Sequence, residues 1–423
     1  MKLTQRQWLG ILILGLVGQL AWLIENMYLN LFVYHTISSD PKVIAAMVAA
    51  SAITATLTTI FIGALSDKWG KRKPFMVYGY IIWGLTIIGF MFIKIDWIEP
   101  IVGPGLAVLV TSSLVVLWDC VMTFFGSSAN DAAFNAWITD ITTPDNRGKV
   151  ESVLSILPLL ALMIIFGGFD FLTQTGQWSL FFGIFGVFVI AGGLLAKVLI
   201  EEVPLQRQSA NFKETLQVIH PRFLKKNRLL LWTLVFLLIL STATQVWMPY
   251  LLIYIQNFLG ITDYTVLFVV VLISASIFSL IGGHMMDRFN KLTLVPLALI
   301  LAMIGLVGMY LVREPWLVMI FGSLMMGGNM ILTSIGHGLF RDHTPLDQAG
   351  RYQGVRMVFG VMLPMVIGPF IGSMVIKNTN LTYVDLGVVK QVPTPLIFLV
   401  AGILLLLVVF PYVQLNRLEN KNV

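Results

Sequence analysis

The chain has 423 residues, of which 57% are hydrophobic and only 11% are charged. A soluble globular chain is about 45–50% apolar and about 25% charged, so this composition excludes the soluble, fibrous and disordered classes and indicates several membrane-spanning helices. The single cysteine, Cys120, excludes a disulfide framework and a thiolate metal cluster. The net charge of +6 does not indicate nucleic-acid binding, because the positions of the basic residues account for it.

Twelve stretches are long and apolar enough to cross a bilayer as a helix, which takes about 20 residues. The sequence therefore predicts an all-α membrane protein, in which Asp40 and Pro41 act as N-cap and first residue of the second helix. The predicted spans are 8–35, 43–66, 74–95, 106–139, 148–172, 178–200, 229–258, 264–286, 291–311, 316–341, 350–376 and 393–415.

Lysine and arginine are distributed unevenly between the two faces that twelve spans define. Of the 27 such residues, 22 lie in or beside the N-terminal segment, the even-numbered connections and the C-terminal tail. An excess of positive charge marks the cytoplasmic face of a membrane protein. The sequence therefore predicts that both termini are cytoplasmic, and the first apolar stretch is too long for a cleavable signal peptide.

The longest connection, residues 201–228, is basic and carries apolar residues at helical spacing. This pattern predicts a cytoplasmic linker with an amphipathic helix on the inner membrane surface. The linker divides the chain into an N-terminal six-helix bundle, 1–200, and a C-terminal six-helix bundle, 229–423.

Two sequence motifs occur once in each half. Residues 63–73, GALSDKWGKRK, end span two, and residues 283–291, GHMMDRFNK, end span eight. Residues 140–148, DITTPDNRG, follow span four, and residues 342–351, DHTPLDQAGR, follow span ten. Two matches in the same order indicate duplication of a six-span unit, and parallel repeats of this kind are an architecture of transporters.

At these residues the chain resembles the major facilitator superfamily. Segment 63–73 is similar to the family signature between helices two and three, and segment 140–148 is similar to the segment between helices four and five. The resemblance extends over essentially the whole chain. It implies two pseudo-symmetric six-helix bundles, alternating access to a site between them, a small-molecule substrate, no cofactor, and a monomer in the plasma membrane.

Residues 18–28, GQLAWLIENMY, are similar to the first helix of the sucrose–proton symporters and their glycoside-transporting relatives. The drug antiporters of the superfamily usually carry a Gly-Pro-rich motif in helix five, which span five lacks. The resemblance therefore favours proton-coupled symport of a sugar or glycoside. The alternative is a proton-coupled antiporter that exports drugs or other lipophilic or cationic compounds.

Ionisable residues inside the spans are candidates for binding the coupling proton, because a charge in the bilayer costs several kcal/mol. They are Glu25 in span one, Asp119 and Asp131 in span four and His337 in span ten. The resembled fold places helices 1, 4, 7 and 10 around the substrate cavity. Its candidate lining residues are Gln19, Asn26, Asn30, Ser127, Asn135, Gln245, Trp247, Tyr250, Asn329 and Thr333.

Several of these candidates have a simpler alternative. Glu25 could be a structural carboxylate bonded to a neighbouring helix, Asp119 could lie at the outer mouth, and His337 could be solvated at the inner end. The span-seven aromatics could face a sugar ring or belong to an interfacial belt. Sodium suits the same carboxylates as a proton does.

The resemblance assigns Asp67 to a cytoplasmic gate, where its carboxylate would face the N-terminal end of helix eleven and its dipole. The simpler alternative is that the neighbouring basic run only anchors span two at the inner face. Asp140 and Arg147 are expected to be companion charges. The candidate gate residues are Gly63, Asp67, Gly70, Lys71, Arg72, Asp140, Arg147 and Asp287.

Two other classes fit the sequence less well. An intramembrane enzyme would need paired carboxylates, yet Asp119 and Asp131 lie about 18 Å apart along one helix, and no HExxH zinc motif occurs. A non-transporting sensor of transporter descent could lose its gate residues, which are intact here. No GxxxxGK[ST] phosphate-binding motif occurs, which argues against direct use of ATP.

Overall fold

The computed structural model describes residues 3–142, 144–202, 227–261, 264–288, 290–344, 354–379, 381–385 and 388–422. Within these residues, eleven helices are long and apolar enough to cross a membrane. A twelfth helix, Pro144–Gly168, contains a shorter apolar stretch, Ile156–Gly168. The twelve helices coincide with the twelve predicted spans, which confirms the predicted all-α membrane fold. The predicted amphipathic helix falls in 203–226, outside the described residues.

The membrane helices are numbered here in chain order. The first six are α1 Gln5–Thr36, α2 Pro41–Trp69, α3 Lys73–Phe92, α4 Pro104–Ile141, α5 Pro144–Gly168 and α6 Trp178–Leu199. The second six are α7 Arg228–Phe258, α8 Thr265–Arg288, α9 Lys291–Leu311, α10 Pro315–Asp342, α11 Gly354–Thr379 and α12 Leu396–Asn420.

Shorter elements lie in the connections. The helix Ile95–Val102 precedes α4, and the helix Asp170–Gln174 precedes α6. Strands β1, Thr382–Asp385, and β2, Val388–Gln391, pair antiparallel between α11 and α12. The sequence did not predict this hairpin, because two four-residue strands are too short to give a clear alternating pattern.

Polar side chains at the helix starts satisfy backbone N–H groups that have no partner within the helix. At α1, the Thr4 hydroxyl accepts from the Gln7 backbone N–H at 3.2 Å, and the Gln7 amide oxygen accepts from the Thr4 N–H at 2.9 Å. At α2, Asp40 Oδ1 accepts from the Lys42 N–H at 2.9 Å. The predicted N-cap at Asp40 is therefore confirmed, with Pro41 as the first helical residue.

Among the residues that the structure describes, four membrane helices contain a π-helical stretch. These stretches are Ile24–Tyr28 in α1, Ser127–Phe134 in α4, Tyr254–Phe258 in α7 and Val358–Met362 in α11. A π-helical turn shifts the side chains that follow it around the helix axis, and such turns occur frequently at functional sites. The stretches in α1 and α4 contain Glu25 and Asp131.

The chain divides into two compact units. Unit 1 comprises Met1–Ser39 and Ala50–Phe212, and unit 2 comprises Asp40–Ala49 and Lys213–Val423. Helix α2 therefore begins in unit 2 and continues in unit 1. The Lys377 ammonium and Asp40 carboxylate form an ion pair at 2.9 Å within unit 2.

Two helix pairings recur in both units. In unit 1, α1 packs against α5 and α3 packs along α6, while in unit 2, α7 packs against α11 and α9 packs against α12. The core of unit 1 is rich in buried aromatic side chains, among them Phe181, Phe182 and Phe185 of α6. A cluster in unit 2 joins Leu234 of α7 to Phe340 of α10 and Val355 of α11.

Candidate functional site

Two buried carboxylates lie together in unit 1. Glu25 of α1 is 7% exposed and Asp119 of α4 is 1% exposed, and the two groups interact electrostatically. The Thr123 hydroxyl, one turn beyond Asp119, donates to Glu25 Oε1 at 2.8 Å. Glu25 Oε2 and Asp119 Oδ1 are buried and have no hydrogen-bond partner. This pair can take up a cation, because each carboxylate offers an unused oxygen where an unpaired charge is costly.

The polar residues that repeat every four positions along α4 do not share one face. Asp119 and Thr123 are buried, whereas Asp131 is partly exposed and Asn135 and Thr139 are exposed. Four residues turn an α-helix by about 40° beyond one full turn, and the π-helical stretch rotates the later positions further. The stripe therefore separates into a buried part beside Glu25 and a part on the surface of the unit.

A hydrogen-bond chain connects α1, α3 and α4 through Asn130. The Trp22 indole N–H donates to Asn130 Oδ1 at 3.2 Å, and Asn130 Nδ2 donates to the Tyr80 hydroxyl at 2.7 Å. The Tyr80 hydroxyl in turn donates to the carbonyl oxygen of Leu14 at 3.0 Å. Gly18 makes the approach possible, because a Cβ atom there would lie 2.2 Å from Asn130 Nδ2.

The polar residues of α1 occupy two environments. Gln19 is partly exposed and Asn26 is exposed, whereas Asn30 is 1% exposed. Asn26 Nδ2 donates to the Trp22 carbonyl oxygen at 2.8 Å, and Asn30 Nδ2 donates to the Asn26 carbonyl oxygen at 2.8 Å. Gln19, Trp22 and Asn26 therefore form one accessible face of α1.

Unit 2 carries a second polar group, on α7, α10 and α11. The Thr244 hydroxyl donates to Asn329 Oδ1 at 3.1 Å, and the Thr333 hydroxyl donates to the Asn329 carbonyl oxygen at 2.8 Å. One turn further along α10, His337 Nε2 lies 3.4 Å from Arg356 Nη1. Since arginine only donates, this contact uses the imidazole nitrogen as the acceptor.

The aromatic side chains of α7 are packed inside unit 2. Trp247 is 3% exposed and Tyr250 is 1% exposed. The Tyr250 hydroxyl lies 2.8 Å from the carbonyl oxygen of Pro369 and 3.0 Å from that of Pro41. Gln245 is partly exposed and packs against α11, where a Cβ atom at Gly368 would lie 2.5 Å from the Gln245 Cβ.

Arg72 organises the charged cluster at the α2–α3 connection. Its side chain forms ion pairs with Asp67 and with Asp140, the second at 3.1 Å from Nε to Oδ2, and donates to the Ser66 hydroxyl. The Arg72 backbone N–H donates to Glu202 Oε2 at 3.2 Å. The cluster joins the ends of α2, α3 and α4 with the segment that follows α6, all within unit 1.

The other candidate gate residues occupy varied positions. Gly70 has φ of 65° in the turn after α2, a left-handed conformation that suits glycine. Lys71 is exposed, and a Cβ atom at Gly63 would meet nothing within 4 Å. The side chains of Arg147 and Asp287 lie outside the described residues.

Comparison with known proteins gives the family. The sequence profile of the Major Facilitator Superfamily matches residues 10–369 and 260–422. The chain belongs to the Major Facilitator Superfamily. No curated protein sequence matches the chain.

Solved structures share the superfamily fold. A point mutant of the nucleoside transporter NupG superposes with a TM-score of 0.73 at 14% identity, covering 96% of this chain and 99% of that chain. A bacterial homolog of the human lysosomal transporter Spinster, in an inward-facing and occupied conformation, gives 0.73 at 12% identity, covering 98% of both chains. At these identities the likeness shows the fold alone. Family and fold support a multi-pass membrane transporter of the secondary type with a small-molecule substrate.

The two segments that resemble superfamily motifs meet at Arg72. The segment 63–73 is the turn that Arg72 organises, and the predicted contact of Asp67 with the start of α11 stays a prediction. The superfamily segment that begins at Asp140 supplies the second carboxylate bound by Arg72. Ion pairing by Arg72 therefore links these two segments within unit 1.

Several residues of the site were not among the sequence candidates. Asn130 and Tyr80 form the chain between three helices, Trp22 contributes an aromatic ring to the accessible face of α1, and Glu202 caps α3. Asn130 is a polar residue deep in a predicted span, and that position is the signal in the sequence that could have indicated its role. The four-residue spacing through Ser127 and Asp131 skips it, and the π-helical stretch alters which positions of α4 face α1.

Proposed function

We propose that this protein is a proton-coupled symporter of a sugar or glycoside. The solute binds to the accessible polar face of α1, and a proton binds to the Glu25–Asp119 pair. Loading both ligands allows the conformational change that carries them across the membrane. Superfamily membership supports the transporter class, and the pair of carboxylates supports cation coupling.

The observation that carries the coupling is that one buried oxygen of each carboxylate has no hydrogen-bond partner. Glu25 Oε2 and Asp119 Oδ1 are both buried without a hydrogen-bond partner, and Thr123 can donate to only one of the four oxygens at a time. An unpartnered ionised carboxylate in a low-dielectric environment costs several kcal/mol. Proton binding removes that cost, so the loaded state is able to change conformation. A sodium ion suits the same carboxylates, and the test below distinguishes it from a proton.

The sugar assignment rests on the sequence of α1. Residues 18–28 resemble the first helix of sucrose–proton symporters, and the structure gives this helix an accessible face with two amides and one indole ring. Amides suit the hydroxyl groups of a sugar, since they both donate and accept hydrogen bonds.

A second candidate function is export of lipophilic cations in exchange for protons. The same buried carboxylates favour it, because they could neutralise a cationic compound as readily as they bind a proton. The two candidates predict different solutes for the same protein, so one panel of compounds separates them.

The test is charge movement on solid-supported membranes carrying the purified protein. A glycoside panel and a panel of lipophilic cations are added rapidly at two pH values, with and without sodium. We expect a glycoside-induced current that depends on pH and not on sodium. Glu25→Gln and Asp119→Asn should abolish uphill accumulation while solute exchange continues, because a permanently neutral side chain mimics the loaded state.

Asp96→Asn is the matched control, because Asp96 is an exposed acid on the short helix Ile95–Val102. It should behave as wild type. Normal uphill accumulation by Glu25→Gln would contradict the coupling assignment. If no sugar induces a current while lipophilic cations do, the exporter is established. If the current strictly requires sodium, sodium replaces the proton as the coupling ion.

A further inference from the structure

The accessible face of α1 lies in the middle of the membrane span. Gln19 and Asn26 are residues 15 and 22 of the 32-residue helix α1. Primary amides are costly in contact with hydrocarbon, whereas Leu9 and Leu12, which are 49% and 41% exposed, suit lipid. The face formed by Gln19, Trp22 and Asn26 must therefore meet water or solute.

Trp22 is held in a fixed orientation on this face. Its indole N–H is bound to Asn130 at 3.2 Å, and its ring packs at 5.1 Å and 57° against the fully buried ring of Trp83. Asn130 is itself fixed by its hydrogen bond to the buried Tyr80. A side chain with both its polar end and one part of its ring engaged loses little conformational entropy when a ligand packs on the remainder.

The groups beside Trp22 match the two kinds of surface on a sugar. A pyranose has a face of C–H groups, which packs on a flat aromatic ring, and a rim of hydroxyl groups. Asn26 uses its NH₂ group on the Trp22 carbonyl, so its amide oxygen accepts from a hydroxyl. Gln19, three residues before Trp22, offers both a donor and an acceptor.

We propose that Trp22 is the stacking platform for a sugar ring, that Gln19 and Asn26 bind its hydroxyl groups, and that Asn130 is the positioning residue for the platform. This inference rests on the proposed sugar transport. It places the aromatic recognition on α1, whereas Trp247 and Tyr250 of α7 are packed inside unit 2.

The experiment measures glycoside-induced current and the sugar-induced change of tryptophan fluorescence in Trp22→Leu and Trp22→Phe. Trp22→Leu should raise KM about tenfold and leave the maximal rate nearly unchanged, because an aromatic stacking contact is lost from binding alone. Trp22→Phe retains a ring without the N–H and should raise KM by a smaller factor. Both variants should lose the fluorescence change.

Trp316→Phe is the matched control, because Trp316 is a 60% exposed tryptophan at the start of α10. It should retain the fluorescence change and the wild-type KM. Asn130→Ala tests the positioning role. Asn130→Ala should raise KM for the glycoside in the protein that retains Trp22. It should have no further effect on KM in the Trp22→Leu background, a pattern that a general loss of stability would not reproduce.

The outcomes separate the inference from the proposed function. If wild type moves no glycoside, the sugar transport itself fails and the platform fails with it. If wild type moves a glycoside while Trp22→Leu keeps the wild-type KM, only the platform is overturned. If tetraphenylphosphonium causes a Trp22-dependent fluorescence change and none of the sugars does, Trp22 belongs to a cation–π site instead. A folded Trp22→Phe protein, verified by size-exclusion chromatography, keeps the test valid if Trp22→Leu is unstable.

Discussion

Gly18 of α1 and Asn130 of α4 are in direct contact, and the hydrogen atom in place of a side chain is what allows it. A Cβ atom at Gly18 would lie 2.2 Å from Asn130 Nδ2 and 3.2 Å from the Tyr80 hydroxyl. Gly18 is buried, and Asn130 and Tyr80 are buried members of the hydrogen-bond chain between the helices. Helix approach over small residues is a general feature of membrane packing, and here it places a polar network beside the candidate site.

We predict that Gly18→Ala destabilises the protein by about 1–3 kcal/mol, the usual cost of overpacking a well-packed interior. The measurement is the temperature at which detergent-solubilised protein loses its monodisperse size-exclusion peak. Gly167→Ala is the control, because a Cβ atom there would meet nothing within 4 Å. It should be neutral or gain up to about 1 kcal/mol from helix propensity. Equal stability of the two variants would show that the Gly18 contact is not tight.

At the scale of elements, Arg72 connects helix ends that are distant in sequence. Its guanidinium reaches Asp67 on one side and Asp140 on the other, while its own side chain is only 9% exposed. Asp67 is 38% exposed and Asp140 is 16% exposed. The planar guanidinium presents several N–H donors in different directions, which a lysine ammonium cannot reproduce.

We predict that Arg72→Gln lowers stability by about 1–3 kcal/mol, because it leaves two carboxylates close together without their cation. Asp67 is partly exposed, and solvent screening therefore limits what its ion pair with Arg72 contributes to this loss. Arg72→Lys should recover only part of the loss. Lys71→Gln, at the neighbouring exposed position, is the control for removal of a positive charge. The measurement is the same loss of the size-exclusion peak on heating. If Arg72→Gln is as stable as wild type, the cluster does not stabilise the fold.

At the scale of the whole molecule, the positions of the basic residues predict which side of the membrane each connection occupies. The structure agrees with the twelve predicted spans, and the orientation stays a prediction. The single cysteine makes it testable. In a Cys120→Ala background, Asn378→Cys at the exposed end of α11 should react with a membrane-impermeant maleimide on intact cells. Lys68→Cys at the end of α2 should react only after permeabilisation, and the reverse pattern would invert the topology.

The sequence predicted the positions of the helices closely. The predicted first and seventh spans, 8–35 and 229–258, compare with α1 Gln5–Thr36 and α7 Arg228–Phe258. It also named both members of the buried pair, Glu25 and Asp119. It did not predict that Thr123 would bind Glu25, that Asn130 would join three helices, or that Trp22 would border the accessible face of α1.

The difference has a physical cause. A bilayer offers no hydrogen-bond partners to the backbone, so each apolar stretch of sufficient length has to form a helix, and length and composition are enough to locate it. Lysine and arginine positions add the expected orientation by a similarly local rule. The contacts of the site are not local. Thr123 and Glu25 are 98 residues apart in the chain. They meet because of how α1 and α4 are rotated, how the π-helical stretch of α1 places Glu25, and how closely Gly18 lets the two helices approach.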